Sequence, residues 1–207
     1  MRESRIRNIP TGEPIVAMTF DDGPHPANTP ELLDLLARKR IRGTFFVLGK
    51  RAVDHPEILK RIVAEGHEIG NHTWTHPKLA EKSQEEARDE LRRTQDLIVK
   101  ITGVQPALMR PPSGSILPEQ EQWIRDEFGY EIIFWAVDPV DWQKPEPGVI
   151  TQRILDGAKP GDIILVHDYQ QVTVKAMPAT LDGLLARGFR FATVSELIAL
   201  PTPSSPP

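Results

Sequence analysis

The sequence predicts an α/β fold: a mainly parallel sheet with helices outside it, closing toward a barrel with fewer than eight strands. Three observations point there. Short apolar runs such as Ile15-Val16-Ala17-Met18 and Ile163-Ile164-Leu165-Val166 alternate with stretches of helical periodicity, the pattern of successive strand-helix units. Polar residues able to do chemistry fall, segment after segment, just after such a run. In a parallel barrel those positions share one rim. At 207 residues the chain is also shorter than the roughly 250 of a typical eight-fold barrel, so fewer units or a distorted closure is expected.

Taken in order, residues 1–14 read as a loose N-terminal lead-in and 15–200 as one domain. The strand at 15–20 delivers Asp21 and Asp22. Thr29-Pro30-Glu31 starts a helix, with Thr29 as N-cap, proline at the first helical position and an acid in the first turn. Leu32, Leu33, Leu35 and Leu36 form its apolar side. Residues 43–48 read as the second strand, and Pro56 opens a helix that Gly66 stops. His67-Glu68-Ile69-Gly70 is a short strand leading into Asn71 and His72. Ser83-x-x-Glu86 is a capping box, followed by Ala87, Leu91, Thr94, Ile98 and Ile101 at helical spacing. Further strands are expected at 107–109, 131–135, 162–168 and 189–191, with helices near 118–129, 149–158, 174–187 and 194–200. The Pro- and Ser-rich tail, 201–207, is expected to be disordered.

Composition narrows the function classes. A net charge of −4 without a long basic run argues against a nucleic-acid partner. No apolar stretch approaches the roughly 18 residues of a membrane span. The first residues lack the apolar stretch of a signal peptide, so a cytoplasmic protein or a trimmed form of an exported one is expected. No pattern encodes an oligomeric state. The absence of cysteine excludes disulfides and thiolate sites, so a metal would take nitrogen and oxygen ligands.

Several constellations can carry chemistry. Asp21-Asp22 ends a buried strand, where adjacent carboxylates are costly unless a metal, an arginine or a hydrogen-bond network holds them. Alone, Asp-Asp-Gly-Pro is more often a solvated turn. His72 and His76 offer two imidazoles, which with a carboxylate such as Asp22 would suit a divalent ion. A lone H-x-x-x-H is as often a pair of loop histidines satisfied by hydrogen bonds. Arg110 sits on a proline-stiffened turn and is suited to hold a carboxylate in a fixed orientation. Asp138, Asp141 and Trp142 read either as an Asp-Pro turn with a core tryptophan or as a carboxylate beside an aromatic wall. His167 closes a buried strand, where an acid or base would sit if a carboxylate set its tautomer.

Taken together, Thr19-Phe20-Asp21-Asp22-Gly23-Pro24, His72-Thr73-x-x-His76, Arg110-Pro111-Pro112-x-Gly114, Asp138-x-x-Asp141-Trp142 and Ile163-x-Leu165-x-His167 resemble the polysaccharide deacetylases of the NodB-homology type, carbohydrate esterase family 4, in that family's order. The resemblance implies a distorted (β/α) barrel. It implies removal of N-acetyl groups from N-acetylglucosamine-containing chitin, chitooligosaccharide or peptidoglycan, with release of acetate. Position by position, it makes Asp21 the general base and Asp22, His72 and His76 the ligands of one divalent ion. Zinc is the expected ion, with cobalt, nickel and manganese open. It makes Arg110 the residue orienting the base, Asp141 the carboxylate tuning the catalytic histidine, and His167 the general acid. Trp142 and Leu165 would line the substrate pocket. Ser113 stands where the family commonly has an aromatic, so its backbone N–H would remain an oxyanion donor while the ring packing is lost.

The chemistry implied is metal-assisted hydrolysis of an amide, in which the ion polarises the acetamide carbonyl and acidifies water. The family's polymeric substrates imply a secreted or cell-envelope protein, against a start with no signal. Rival expectations are an O-deacetylase of the acetyl-xylan type, a small cyclic-amide hydrolase on the same scaffold, and a non-catalytic carbohydrate-binding module.

Overall fold

β1 (Ile15–Gly23) is the strand around which the sheet is built. In the computed structural model, which describes residues 5–201, it pairs in parallel with β2 (Thr44–Val47) on one side and β6 (Ile163–His167) on the other. β3 (Glu68–Asn71), β4 (Leu108–Met109) and β5 (Glu131–Ile132) continue outward from β2. β7 (Arg190–Phe191) pairs with the start of β1, giving a seven-stranded sheet of order β5-β4-β3-β2-β1-β6 with β7 off that path. Isolated bridges bring the row round on itself. Ile6 pairs beside Ile133, and Val137 beside Ile164 of β6. The chain leaving β5 thus joins the opposite edge, and the sheet closes as a distorted barrel.

Eight helices accompany the strands among the described residues: α1 (Asn28–Lys39), α2 (Gly49–Ala52), α3 (Pro56–Ala64), α4 (Gln84–Thr102), α5 (Pro118–Phe128), α6 (Pro147–Gly157), α7 (Gln171–Ala186) and α8 (Val194–Ile198). Alternation along β1 divides the core. Val16, Met18 and Phe20 point out to Leu32, Leu33 and Leu36 of α1 and to Met177 and Leu181 of α7. Ala17 points inward to Phe46, Leu108, Ile133 and Ile163. Ser83 and Glu86 cap α4 reciprocally as their spacing predicts. No helix of the described residues is long and apolar enough to cross a membrane.

Three local expectations change. The described part of the lead-in is not loose: Ile6 and Ile9 are buried and join the inner cluster, because Ile6 exchanges backbone hydrogen bonds with Ile132 and Phe134. The strand expected at 131–135 is shortened to Glu131–Ile132, with Ile6 bonded along its other edge. Thr29 does not cap α1. His25 Nδ1 accepts the Ala27 and Asn28 N–H groups instead, freeing the Thr29 hydroxyl to bond Asp168. The expected disordered tail lies outside the described residues apart from Pro201.

Candidate active site

Thr19 and Asp21 share the inward side of β1 with Ala17, and the space in front of them is filled by Arg110. Its side chain is wholly buried. Arg110 Nη1 donates to Asp21 Oδ1 at 2.7 Å and to Thr19 Oγ1 at 2.8 Å, Nη2 to the Phe134 carbonyl at 3.0 Å. The guanidinium lies 4.3 Å from the centre of the Phe46 ring. Burial works against its charge, and the Asp21 carboxylate is the compensating partner. Only Oδ1 of Asp21 is used in this way. Oδ2 faces the histidines, 3.7 Å from His72 Nε2.

Simple alternation would turn Asp22 away from this side. Instead the register shifts between Asp21 and Gly23, and Asp22 takes a left-handed backbone, φ 70°. Such a bulge re-aims a side chain toward the rim. Asp22 Oδ1 then lies 3.3 Å from Nε2 of both His72 and His76. The His72 Nδ1 sits 2.8 Å from the Arg110 carbonyl, an acceptor that claims the ring proton and leaves Nε2 bare toward Asp22. His76 is held on left-handed backbone, as is Thr73. Hydrogen bonds fix that loop: Thr73 N–H donates to Asn71 Oδ1, His76 N–H to Thr73 Oγ1, and the Trp74 and Thr75 N–H groups to Glu90 of α4. Left-handed backbone at non-glycine residues costs on the order of 1–3 kcal/mol each and persists where surroundings enforce it.

The ligand atoms of Asp22, His72 and His76 lie within 4.8 Å of one another. Asp22 Oδ1 is buried with no hydrogen-bond partner. A buried, unpartnered carboxylate oxygen between two imidazoles is expensive unless a cation takes it up. Two imidazoles and one carboxylate match the donor set of a zinc-type site with a position left open. The residues therefore fit a divalent ion. Burial opposes ionisation of Asp22, but the two imidazoles outweigh it and hold the carboxyl well below the usual range. Burial likewise opposes charge on His72, and Asp21 and Asp22 more than offset it, raising its proton affinity. A metal ion competes with that proton, so binding should weaken as pH falls.

His167, at the end of β6, faces the cluster from the other side. Its Nδ1 lies 2.7 Å from Asp141 Oδ1, and its backbone N–H donates to Asp141 Oδ2 at 2.8 Å. Thr173, in the first turn of α7, donates to that same Oδ2 at 2.5 Å. Burial works against protonation of His167, but the Asp141 contact and the charges of Asp21 and Asp22 prevail and push its pKa up to about 9. Asp138 plays a different part. Its Oδ1 accepts the Val140 N–H and so shapes the turn that presents Asp141.

The ten residues given site roles from the sequence meet here. A hollow of about 400 Å³ is lined by Asp21, Asp22, His72, His76, Ser113, Trp142, Leu165 and His167, with Arg110 and Asp141 buried behind it. Trp142 is half exposed and Ser113 is on left-handed backbone. Sequence reasoning missed Thr19, Thr173, Trp135 and Tyr169. Thr19 was recoverable from alternation with Asp21; nothing local marks the others.

Known proteins resemble this chain in sequence and fold. The sequence profile described as "Polysaccharide deacetylase" matches residues 8–133, more than half of the chain. The peptidoglycan-N-acetylglucosamine deacetylase PgdA of Listeria monocytogenes is 39% identical over 182 residues, covering 88% of this chain and 38% of the relative. The chain thus spans about two fifths of that relative's length. A chitooligosaccharide deacetylase of Sinorhizobium fredii is 36% identical over 201 residues, covering 89% of this chain and 93% of the relative. Among solved structures, the Bc1960 peptidoglycan N-acetylglucosamine deacetylase, in complex with a naphthalenyl N-oxidanyl-benzamide, superposes with a TM-score of 0.90 at 36% identity, covering 94% of this chain and 92% of its own. BA3943, a CE4 family pseudoenzyme from Bacillus anthracis, superposes with a TM-score of 0.89 at 30% identity, covering 96% of this chain and 70% of its own. From the profile match and these identities, the chain belongs to the polysaccharide deacetylase family.

Proposed function

We propose that the protein is a metal-dependent hydrolase that removes N-acetyl groups from N-acetylglucosamine units of a glycan, releasing acetate and leaving a free amine. The observation that carries this reading is the asymmetry of Asp21. One oxygen is tied to Arg110, while the other faces the cluster of Asp22, His72 and His76. A carboxylate fixed at one end and free at the other is built to take a proton.

Asp22, His72 and His76 would hold a divalent ion, zinc being the choice their donor set favours. When bound, the ion supplies Lewis acidity toward the acetamide carbonyl and a lowered pKa for water. Asp21 Oδ2 takes a proton from the attacking water. The Ser113 backbone N–H donates to the carbonyl oxygen as negative charge develops there. His167, with Nδ1 on Asp141, presents Nε2 to the hollow and gives its proton to the leaving nitrogen. Water is consumed, the C–N bond breaks, and the amine and acetate leave. Leu165 and Trp142 wall the acetyl group.

Family membership extends to the pseudoenzyme BA3943, so the complete set of base, ligands and acid supports activity here more than likeness does. The test is acetate release by zinc-reconstituted protein from chitooligosaccharides, peptidoglycan fragments and acetylated xylan. Release from the first two is expected. Release from none, with an active deacetylase run alongside, overturns the reading; release from xylan alone makes it an esterase.

A further inference from the structure

A second hollow, of about 640 Å³, shares Asp22, His76 and Tyr169 with the first and runs on past α2. A glycan strand extending past the first hollow on that side would enter it. Its lining is charged in a way that a neutral sugar does not require. Arg51 is fixed there: Nη1 donates to the Asp22 carbonyl at 2.8 Å, and the guanidinium lies 4.9 Å from the centre of the Tyr169 ring. Among the described residues its remaining nitrogens have no hydrogen-bond partner, so a pre-oriented fork is left over for a carboxylate. Lys50, exposed beside it, has no ion pair among the described residues. Asp22 belongs to the ligand set of the first hollow. Against these two cations stands one uncommitted acid in the lining, Asp54.

We propose that this hollow is a subsite for a sugar bearing a carboxylate, so that the protein prefers acidic glycan strands of the peptidoglycan kind over uncharged chitin-type chains. The proposal rests on the deacetylase reading above and specifies its substrate. The carboxylate can come from a lactyl ether on the sugar ring or from a peptide attached to it. Both present the same group to Arg51 and Lys50.

Lys50→Glu and Asp54→Asn test it, since neither residue belongs to the catalytic set. Binding by calorimetry and initial rates would be measured with two tetrasaccharides: uncharged N-acetylglucosamine, and alternating N-acetylglucosamine and N-acetylmuramic acid with or without stem peptide. Lys50→Glu should weaken binding and lower kcat/KM about fivefold on the acidic chain while leaving the neutral one within about twofold. Asp54→Asn should shift the acidic chain the opposite way, and added salt should erase both effects. Persistence without the stem peptide assigns the carboxylate to the lactyl group, and dependence on it assigns the peptide; either supports the subsite. Equal effects on both chains, or none, overturn it. If wild-type protein turns over neither chain, the deacetylase reading fails, and calorimetry still decides the subsite.

Discussion

His167 can act as an acid only while it carries its proton, and Asp141 is what keeps it there. The buried carboxylate receives the ring and backbone N–H of His167 and the Thr173 hydroxyl, so it is fixed in position and aimed at Nδ1. Because Asp141 raises the histidine's pKa, activity should fall as pH rises through the value for His167, near 9 without metal and lower once a bound cation repels the proton. Asp141→Asn removes that support. The alkaline limb of the pH–rate profile should move to lower pH and kcat should drop by about 10²–10⁴. Asp138→Asn, which disturbs only the Val140 turn, should leave the limb in place. An unmoved limb in Asp141→Asn would remove His167 from the acid role. At this scale the sequence was informative where residue type and order together restrict chemistry, as with Asp21, His72 and His167. It was silent on Thr173, whose partner lies 32 residues upstream. An isolated threonine in a helical stretch carries no mark of such a contact.

The elements were legible where periodicity or capping chemistry repeats over several residues. α4 is an example, since its capping box and apolar spacing both declare it. They were less legible where tertiary pairing overrides local pattern. The run 131–135 reads as one strand, yet only Glu131–Ile132 pairs with β4; beyond it the Ile133 and Phe134 carbonyls accept from the Arg110 guanidinium, while Ile6 bonds the other edge. The segment that supplies Ile6 has no periodicity of its own and therefore reads as loose. Its burial carries a measurable consequence. Ile6→Ala should cost about 2–5 kcal/mol in denaturant unfolding, the range for truncating a buried isoleucine. A cost below about 0.5 kcal/mol, ordinary for a surface position, would mean that the segment is a lead-in after all.

Over the whole molecule, the site is a property of strand ends. Asp21 and Asp22 finish β1, His72 and His76 follow β3, Arg110 follows β4, Asp141 follows β5, and His167 finishes β6. A parallel sheet puts those ends on one rim, which is why strand-helix alternation predicted their convergence. The closure was not predictable in the same way, since it relies on single bridges at Ile6, Ile133, Val137 and Ile164 rather than on a repeating pattern. What the assembled rim achieves is a separation of two adjacent carboxylates. The bulge sends Asp22 to the histidines, while Arg110 holds Asp21 beside them with one oxygen free. Zinc content and acetate release, measured in parallel on reconstituted Asp21→Asn and Asp22→Asn, test that separation most directly. Asp21→Asn should keep its zinc and lose turnover by about 10²–10⁴, whereas Asp22→Asn should lose both. Equal loss of zinc from the two variants would contradict it.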